Sequence, residues 1–264
     1  MLQWFACYAA NIRTRSAAIA RFFEARMGVV ALAWLAVFTL SSAVRLALAV
    51  SPVESLRDAA ILALPYILIA AAPIAGFLIA ERAFPRGTLS AQPEVRLAFY
   101  GHWRRLDVLE ARRSPVFGPA GFMASLLVGM LLNVVIRSFE FLVSMPALNG
   151  HAPEWAQQMM LVMVADVVVM SFFYMVCFVL ALRTVPLFPR MLLFAWLLDI
   201  AMQLLIAQHV AALPDLPVNV AVPLHGLLHG NVTKVLISAF VWLPYLLLSD
   251  RVNITYRSRG PAED

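Results

Sequence analysis

Long apolar runs recur along this 264-residue chain, each of the length that crosses a hydrocarbon core. A helical span needs about 20 predominantly apolar residues. None of these runs alternates polar and apolar positions, as a membrane β-strand would. Hydrophobic residues make up 62% of the chain and charged residues 13%, against about 45–50% and about 25% in soluble domains. The expected fold class is all-α: one polytopic helical membrane domain, residues 1–264, with about six transmembrane helices and two interfacial amphipathic helices on its cytoplasmic face.

The first expected span runs roughly Gly28 to Val50 and the second Ala59 to Ala80, with kinks at Pro65 and Pro73. The third runs about Gly118 to Val143, the fourth Met159 to Leu182, the fifth Met191 to Val210 and the sixth Val232 to Ser249. Arg183 to Arg190 reads as a tight turn. Ala211 to Asn231, rich in proline, histidine and glycine, reads as a loop, and residues 250–264 read as a tail.

Between the second and third spans lies a polar segment, Glu81 to Phe117, that holds Arg82, Arg86, Arg96, Arg104, Arg105, Arg112 and Arg113. So many cations in one loop resist translocation, so this loop should stay cytoplasmic and orient the rest. With both termini inside as well, most of the 20 Lys and Arg fall on that side, and only Arg57 lies in an outer loop. The chain is expected in a bacterial inner membrane. Residues 1–27 mix Arg13, Arg15, Arg21 and Arg26 with Trp4, Phe5, Tyr8 and Phe23 and lack the apolar centre of a signal peptide; they read as an interfacial helix. From Pro93 onward, Val95, Phe99, Trp103, Leu106 and Leu109 recur at helical spacing and predict a second one. The partners so implied are anionic headgroups at the cytoplasmic face. The net charge of +5 is thereby accounted for by topology, and no nucleic-acid partner is expected.

Charges inside spans cost about 2.5–3.5 kcal/mol each on insertion scales and are the natural candidates for function. Arg45, Arg137 and Lys234 fall in the outer third of their spans, with Glu140 and Asp166 at similar depth. Asn133, Arg137 and Glu140 share a helix face, which allows Arg137 to pair locally with Glu140. These five charged residues are candidates for an outward-facing polar cavity that takes an anionic group. Equally, long cations near helix ends snorkel to the interface, and Asp166 needs only an interhelical partner. Asp199 and Gln203, one turn apart, form a second buried polar site in the inner half, either proton-handling or packing.

His225 and His229, with His209 nearby, are the one conceivable metal set, but the flanking glycines and Pro223 argue for loop histidines without metal. Cys7 and Cys177 are expected as free thiols. The chain carries no zinc-protease, nucleophile-elbow, phosphate-loop or paired-cysteine signature, so neither an enzyme nor a cofactor is expected.

The C-terminal stretch reads Val241-Trp-Leu-Pro-Tyr245, Ser249-Asp-Arg-Val252 and Thr255-Tyr-Arg257. It resembles the closing signature of a bacterial family of small polytopic membrane proteins, domain of unknown function 2569. The resemblance covers the last third to half of the chain, with Phe188-Pro-Arg190 compatible, and implies a fold but no activity. On physical grounds Pro244 bends the last helix, Trp242 and Tyr245 pack in the bundle, Ser249 caps carbonyls and Arg251 anchors the interface. Two functions remain open: a binder of an anionic lipid or small amphiphile acting as a transport accessory, and a scaffold or assembly subunit for membrane-protein partners.

Overall fold

In the computed structural model, residues 2–88, 90–93, 101–214 and 216–262 are described, with side chains from residue 14 on. Eight helices and one small two-stranded sheet make up these residues. Six of the helices are long and apolar enough to cross a membrane, and the chain is a multi-pass membrane protein. They are α1 (Leu2–Ala47), α2 (Leu56–Ala83), α4 (Phe122–Ser144), α5 (Glu154–Leu182), α6 (Phe188–Ala211) and α7 (Val218–Leu248); α3 (Val108–Arg113) and α8 (Asp250–Arg257) are short.

The expected interfacial helix and first span are one continuous element, α1. It is interrupted at Arg26, whose φ of −123° and ψ of 17° leave the helical region. The break falls where the arginine-bearing stretch meets the apolar run. Phe23, just before it, packs edge-on to Phe178 of α5, with ring centres 5.3 Å apart. Trp4, Phe5, Cys7 and Tyr8 lie where no side chain is described.

Local sequence accounts for the starts of α2 and α6. Ser55 and Asp58 form a reciprocal capping box at the start of α2. That helix stays continuous through Pro65 and Pro73. Pro189 occupies the first turn of α6, where its missing N–H costs nothing.

The core is α5, which buries residues along nearly its whole length. α2 lies against it at Gly76, where a Cβ would stand 2.5 Å from the Phe172 carbonyl oxygen. Only glycine permits that separation, a common device where helices pack in lipid. The outward faces of α1, α2 and α7 carry Leu32, Leu40, Ile67, Ile79, Ile237 and Phe240, all exposed, as lipid-facing surfaces are.

Two sequence expectations are corrected here. The first is the loop 211–231: from Val218 onward it is helix, and α7 runs unbroken through Pro223, Gly226 and Gly230. In an apolar surrounding an unpaired peptide costs more than a weak helix former does, so glycine and proline do not end the helix. The second is the interfacial helix from Pro93. Its Val95 and Phe99 fall outside the described residues, but Trp103–Arg105 is a strand, β1, paired antiparallel with β2 (Arg259–Pro261). Gly101, at φ +93°, turns the chain out of helical geometry just before it. The short α3 follows, capped by Asp107.

The tail is likewise an ordered part of the fold. In α8, residues Val252 to Arg257 are buried. Tyr256 donates to the Ala181 carbonyl at 2.8 Å, and Thr255 Oγ1 accepts from the Gly118 amide at 3.0 Å. Arg251 donates to the Gly118 carbonyl at 3.2 Å. Ser249 makes no capping bond through its side chain. Instead Asn253 reaches back to the Leu247 and Ser249 carbonyls, and Arg257 to that of Leu246 at 2.7 Å. These are the carbonyls a helix end leaves orphaned. Burial, with Arg259 and Arg190 nearby, pushes the Arg257 guanidinium down to about 10.

The two ends of the bundle differ sharply in charge. One end gathers α8, the sheet, the turn after α5 and the residues around Gly118. Among the described residues the opposite end, where Val50 meets Ala147, has Arg45 and Arg57 as its only Lys or Arg, beside the acids Glu54, Asp58 and Glu154.

Candidate functional site: a polar network at mid-bundle

Every helix of the α4–α7 group brings one polar residue to the same depth. Arg137, Asp166, Asp199, Asn231 and Lys234 each lie within about one turn of the midpoint of their helix. Asp166 and Lys234, read in the outer third of shorter predicted spans, thus sit near the middle of longer helices. The cause is the early start of α7 and of α5, whose first residue is Glu154.

Arg137 is the hub. Its Nη1 donates to Asp166 Oδ2 at 2.8 Å, and Nη2 to both carboxylate oxygens of Asp199 at 2.7 and 2.6 Å. Tyr174 donates to Asp199 Oδ2 at 2.9 Å. Gln203 donates to Asp166 Oδ1 at 2.9 Å, and Asn231 to Gln203 Oε1 at 3.3 Å. Lys234 approaches Asn231 Oδ1 at 3.5 Å and bonds to Glu140 Oε1. One connected chain of side chains thus runs from Tyr174 to Glu140. The pairing of Arg137 with Glu140 expected from their spacing is replaced by these longer-range pairs. The two sites read separately from the sequence, Arg137 with Asp166 and Asp199 with Gln203, are one.

The network has a sealed part and an open part. Arg137, Asp166 and Asp199 are 7%, 2% and 0% exposed. Lys234 and Glu140 keep 55% and 37% of their side-chain surface. Between these parts lies a cavity of about 230 Å³ lined by Asn133, Arg137, Glu140, Tyr174, Asn231 and Lys234, with Gly129, Leu132, Ile136 and Val235 as its apolar walls. It opens between α4 and α7; Leu132 and Ile136 at its margin are exposed toward the lipid side. Below it Phe122 closes the seam against Trp242 and Tyr245, with ring centres 4.5 and 5.0 Å away.

Arg45 does not belong to the site. At the last turn of α1, it donates through Nε and Nη2 to the Met145 carbonyl at 3.1 and 2.9 Å. Met145 ends α4, so Arg45 ties the ends of two helices together, a structural task. His209 bonds to Gln158, and His225 and His229 sit exposed on α7. Among the described residues no three metal-ligating side chains converge. Cys177 is a buried free thiol.

Sequence reasoning found every charged member of the network but missed Tyr174 as a partner of Asp199, and read Asn231 as the end of a loop rather than a member. Asn231 carried a usable signal: it lies three residues before Lys234, on the same helix face.

The chemistry this arrangement supports is limited by its charge. Arg137 is already satisfied by two carboxylates, so it is not a vacant anion receptor. Lys234 and Glu140 form an exposed pair that a ligand can open. Comparison with family models, curated proteins and solved structures finds no match to this chain.

Proposed function

We propose that this chain is a non-enzymatic inner-membrane protein that takes the polar head of an amphiphile from the bilayer into the cavity between α4 and α7. One observation carries this reading: a cavity at mid-bundle between α4 and α7, with apolar walls and a half-exposed Lys234–Glu140 pair in its lining. Small-molecule sites usually enclose about 300–1,000 Å³, so a cavity of about 230 Å³ fits a head group whose tails stay between the helices. Because Arg137 is occupied by Asp166 and Asp199, the head must offer an anionic group for Lys234 and a hydrogen-bond donor for Glu140. The concentration of arginine at the end bearing α8 supports cytoplasmic termini and contacts with anionic lipids there. The alternative, a scaffold for membrane-protein partners, rests on the arginine loop being folded against the tail through β1 and β2.

The deciding experiment is native mass spectrometry of the gently extracted protein beside Lys234→Ala and Arg45→Ala variants. The expected outcome is an amphiphile retained by the parent and Arg45→Ala proteins and lost from Lys234→Ala. Equal retention by all three overturns the cavity reading. Co-purified subunits in place of an amphiphile favour the scaffold.

A further inference from the structure

The sealed part of the network has an uneven charge count. Its three ionisable groups that pair directly, Arg137, Asp166 and Asp199, sum to one negative charge when all are ionised. Glu140 and Lys234 cancel each other and do not correct the imbalance. The other titratable groups close to it are Tyr174 and Cys177 on α5, neutral in their ordinary range. From α2, which lies along α5, the titratable group reaching the bundle interior is Tyr66; Arg57, Asp58, Glu81 and Arg82 sit at its ends. α1 contributes Arg45 only at the far end. An uncompensated charge at the centre of an apolar bundle is costly, and such groups neutralise themselves by taking up a proton.

We propose that the Arg137–Asp166–Asp199 cluster binds one exchangeable proton at neutral pH, held on Asp166, whose Oδ1 faces the reversible amide of Gln203. A proton from bulk water adds to one carboxylate oxygen, giving a carboxylic acid, a carboxylate and a guanidinium of zero net charge. A small metal cation is the other way to supply one positive charge. The geometry disfavours it, because a cation needs several free oxygen ligands and all four carboxylate oxygens accept hydrogen bonds, whereas a proton on Asp166 Oδ1 needs only the Gln203 amide to turn.

The network also reaches the cavity on two sides. The Tyr174 hydroxyl lines the cavity and donates to Asp199 Oδ2, so it links the cluster to the cavity. On the other side, the donors of Lys234, Asn231 and Gln203 all point toward Asp166. A proton on Asp166 Oδ1 must donate to Gln203, which turns both amides over and presents the Asn231 amino group to Lys234. Two donors then face each other, and Lys234 loses its Asn231 contact and is held by Glu140 alone. Protonation of the cluster thereby couples to occupancy of the cavity. This coupling rests on the cavity being a binding site; the proton site does not.

Infrared difference spectroscopy of the protein in lipid, titrated through neutral pH with and without sodium, tests the proton directly. The expected result is a carboxylic-acid carbonyl band present at pH 7, shifted in heavy water, indifferent to sodium and equivalent to one group per molecule. Asp166→Asn and Asp199→Asn each remove the charge imbalance and should lose the band. Arg137→Gln leaves two carboxylates without a guanidinium and should double it. Absence of the band in the folded parent protein overturns the proposal, as does its persistence in both aspartate variants or carboxylate bands that move with sodium. Tyr174→Phe should keep the band. If the band is present while Lys234→Ala retains its amphiphile, the proton site stands and the cavity reading falls.

Discussion

At the scale of single residues, the network's stability is asymmetric. A guanidinium cannot shed its charge in a protein, whereas a carboxylate can neutralise itself. Replacing both Asp166 and Asp199 with leucine strands Arg137 in the bundle and should cost about 3–5 kcal/mol, the range for breaking a buried pair from one side. Adding Arg137→Met to that double variant should restore most of the loss, because an apolar replacement of the whole cluster leaves nothing unpaired. Thermal unfolding in detergent compares the two, and equal stability would mean that the cluster contributes little. The charged members were legible in the sequence one at a time, since any charge in an apolar run stands out. Their convergence was not: it depends on which faces of four helices meet, and periodicity along one helix says nothing of its rotation against another. Asp199 shows this well, because its partner Arg137 lies 62 positions away.

At the scale of elements, two contacts decide how the pieces fit. Gly76→Val would place a side chain into the Phe172 backbone and separate α2 from α5. A cost of about 1–3 kcal/mol is expected from overpacking, visible as a lower melting temperature than that of Gly129→Val, a position where a Cβ meets nothing within 4 Å. At the other contact, Arg257→Leu leaves the Leu246 carbonyl without its side-chain donor, for about 1–3 kcal/mol. Faster amide exchange confined to α8 and β2 would check it. The span count was readable from the apolar runs, but α2 and α6 each begin three residues before the reading, at the capping box and at Pro189. The start of α7 was not readable, because glycine and proline break helices in water by a margin that lipid removes. The pairing of β1 with β2 joins residues more than 150 positions apart, and no local signal announces it.

At the scale of the whole molecule, the distribution of charge and the folded ends make one prediction together. The helices alternate so that α8, the arginine-bearing sheet and the turn after α5 share one end. Moving that end across a membrane would carry Arg104, Arg105, Arg112, Arg113 and Arg183 with it, whereas the other end has Arg45 and Arg57 as its only Lys or Arg among the described residues. The arginine-rich end should therefore face the cytoplasm. Gly150 is exposed, has open space at its Cβ position and lies between α4 and α5 at the opposite end. Arg112 is exposed on α3; it is a better probe than Gly101, where any side chain would be strained by the positive φ and crowded by Trp103. In a Cys7→Ser background, Gly150→Cys should react with an impermeant thiol reagent on intact cells and Arg112→Cys only after the membrane is opened; buried Cys177 should stay silent in both. The reverse pattern would invert the molecule. The same experiment bears on the cavity, because at mid-bundle between α4 and α7 it does not need a particular side to be reached. An inverted molecule would leave the α4–α7 site intact.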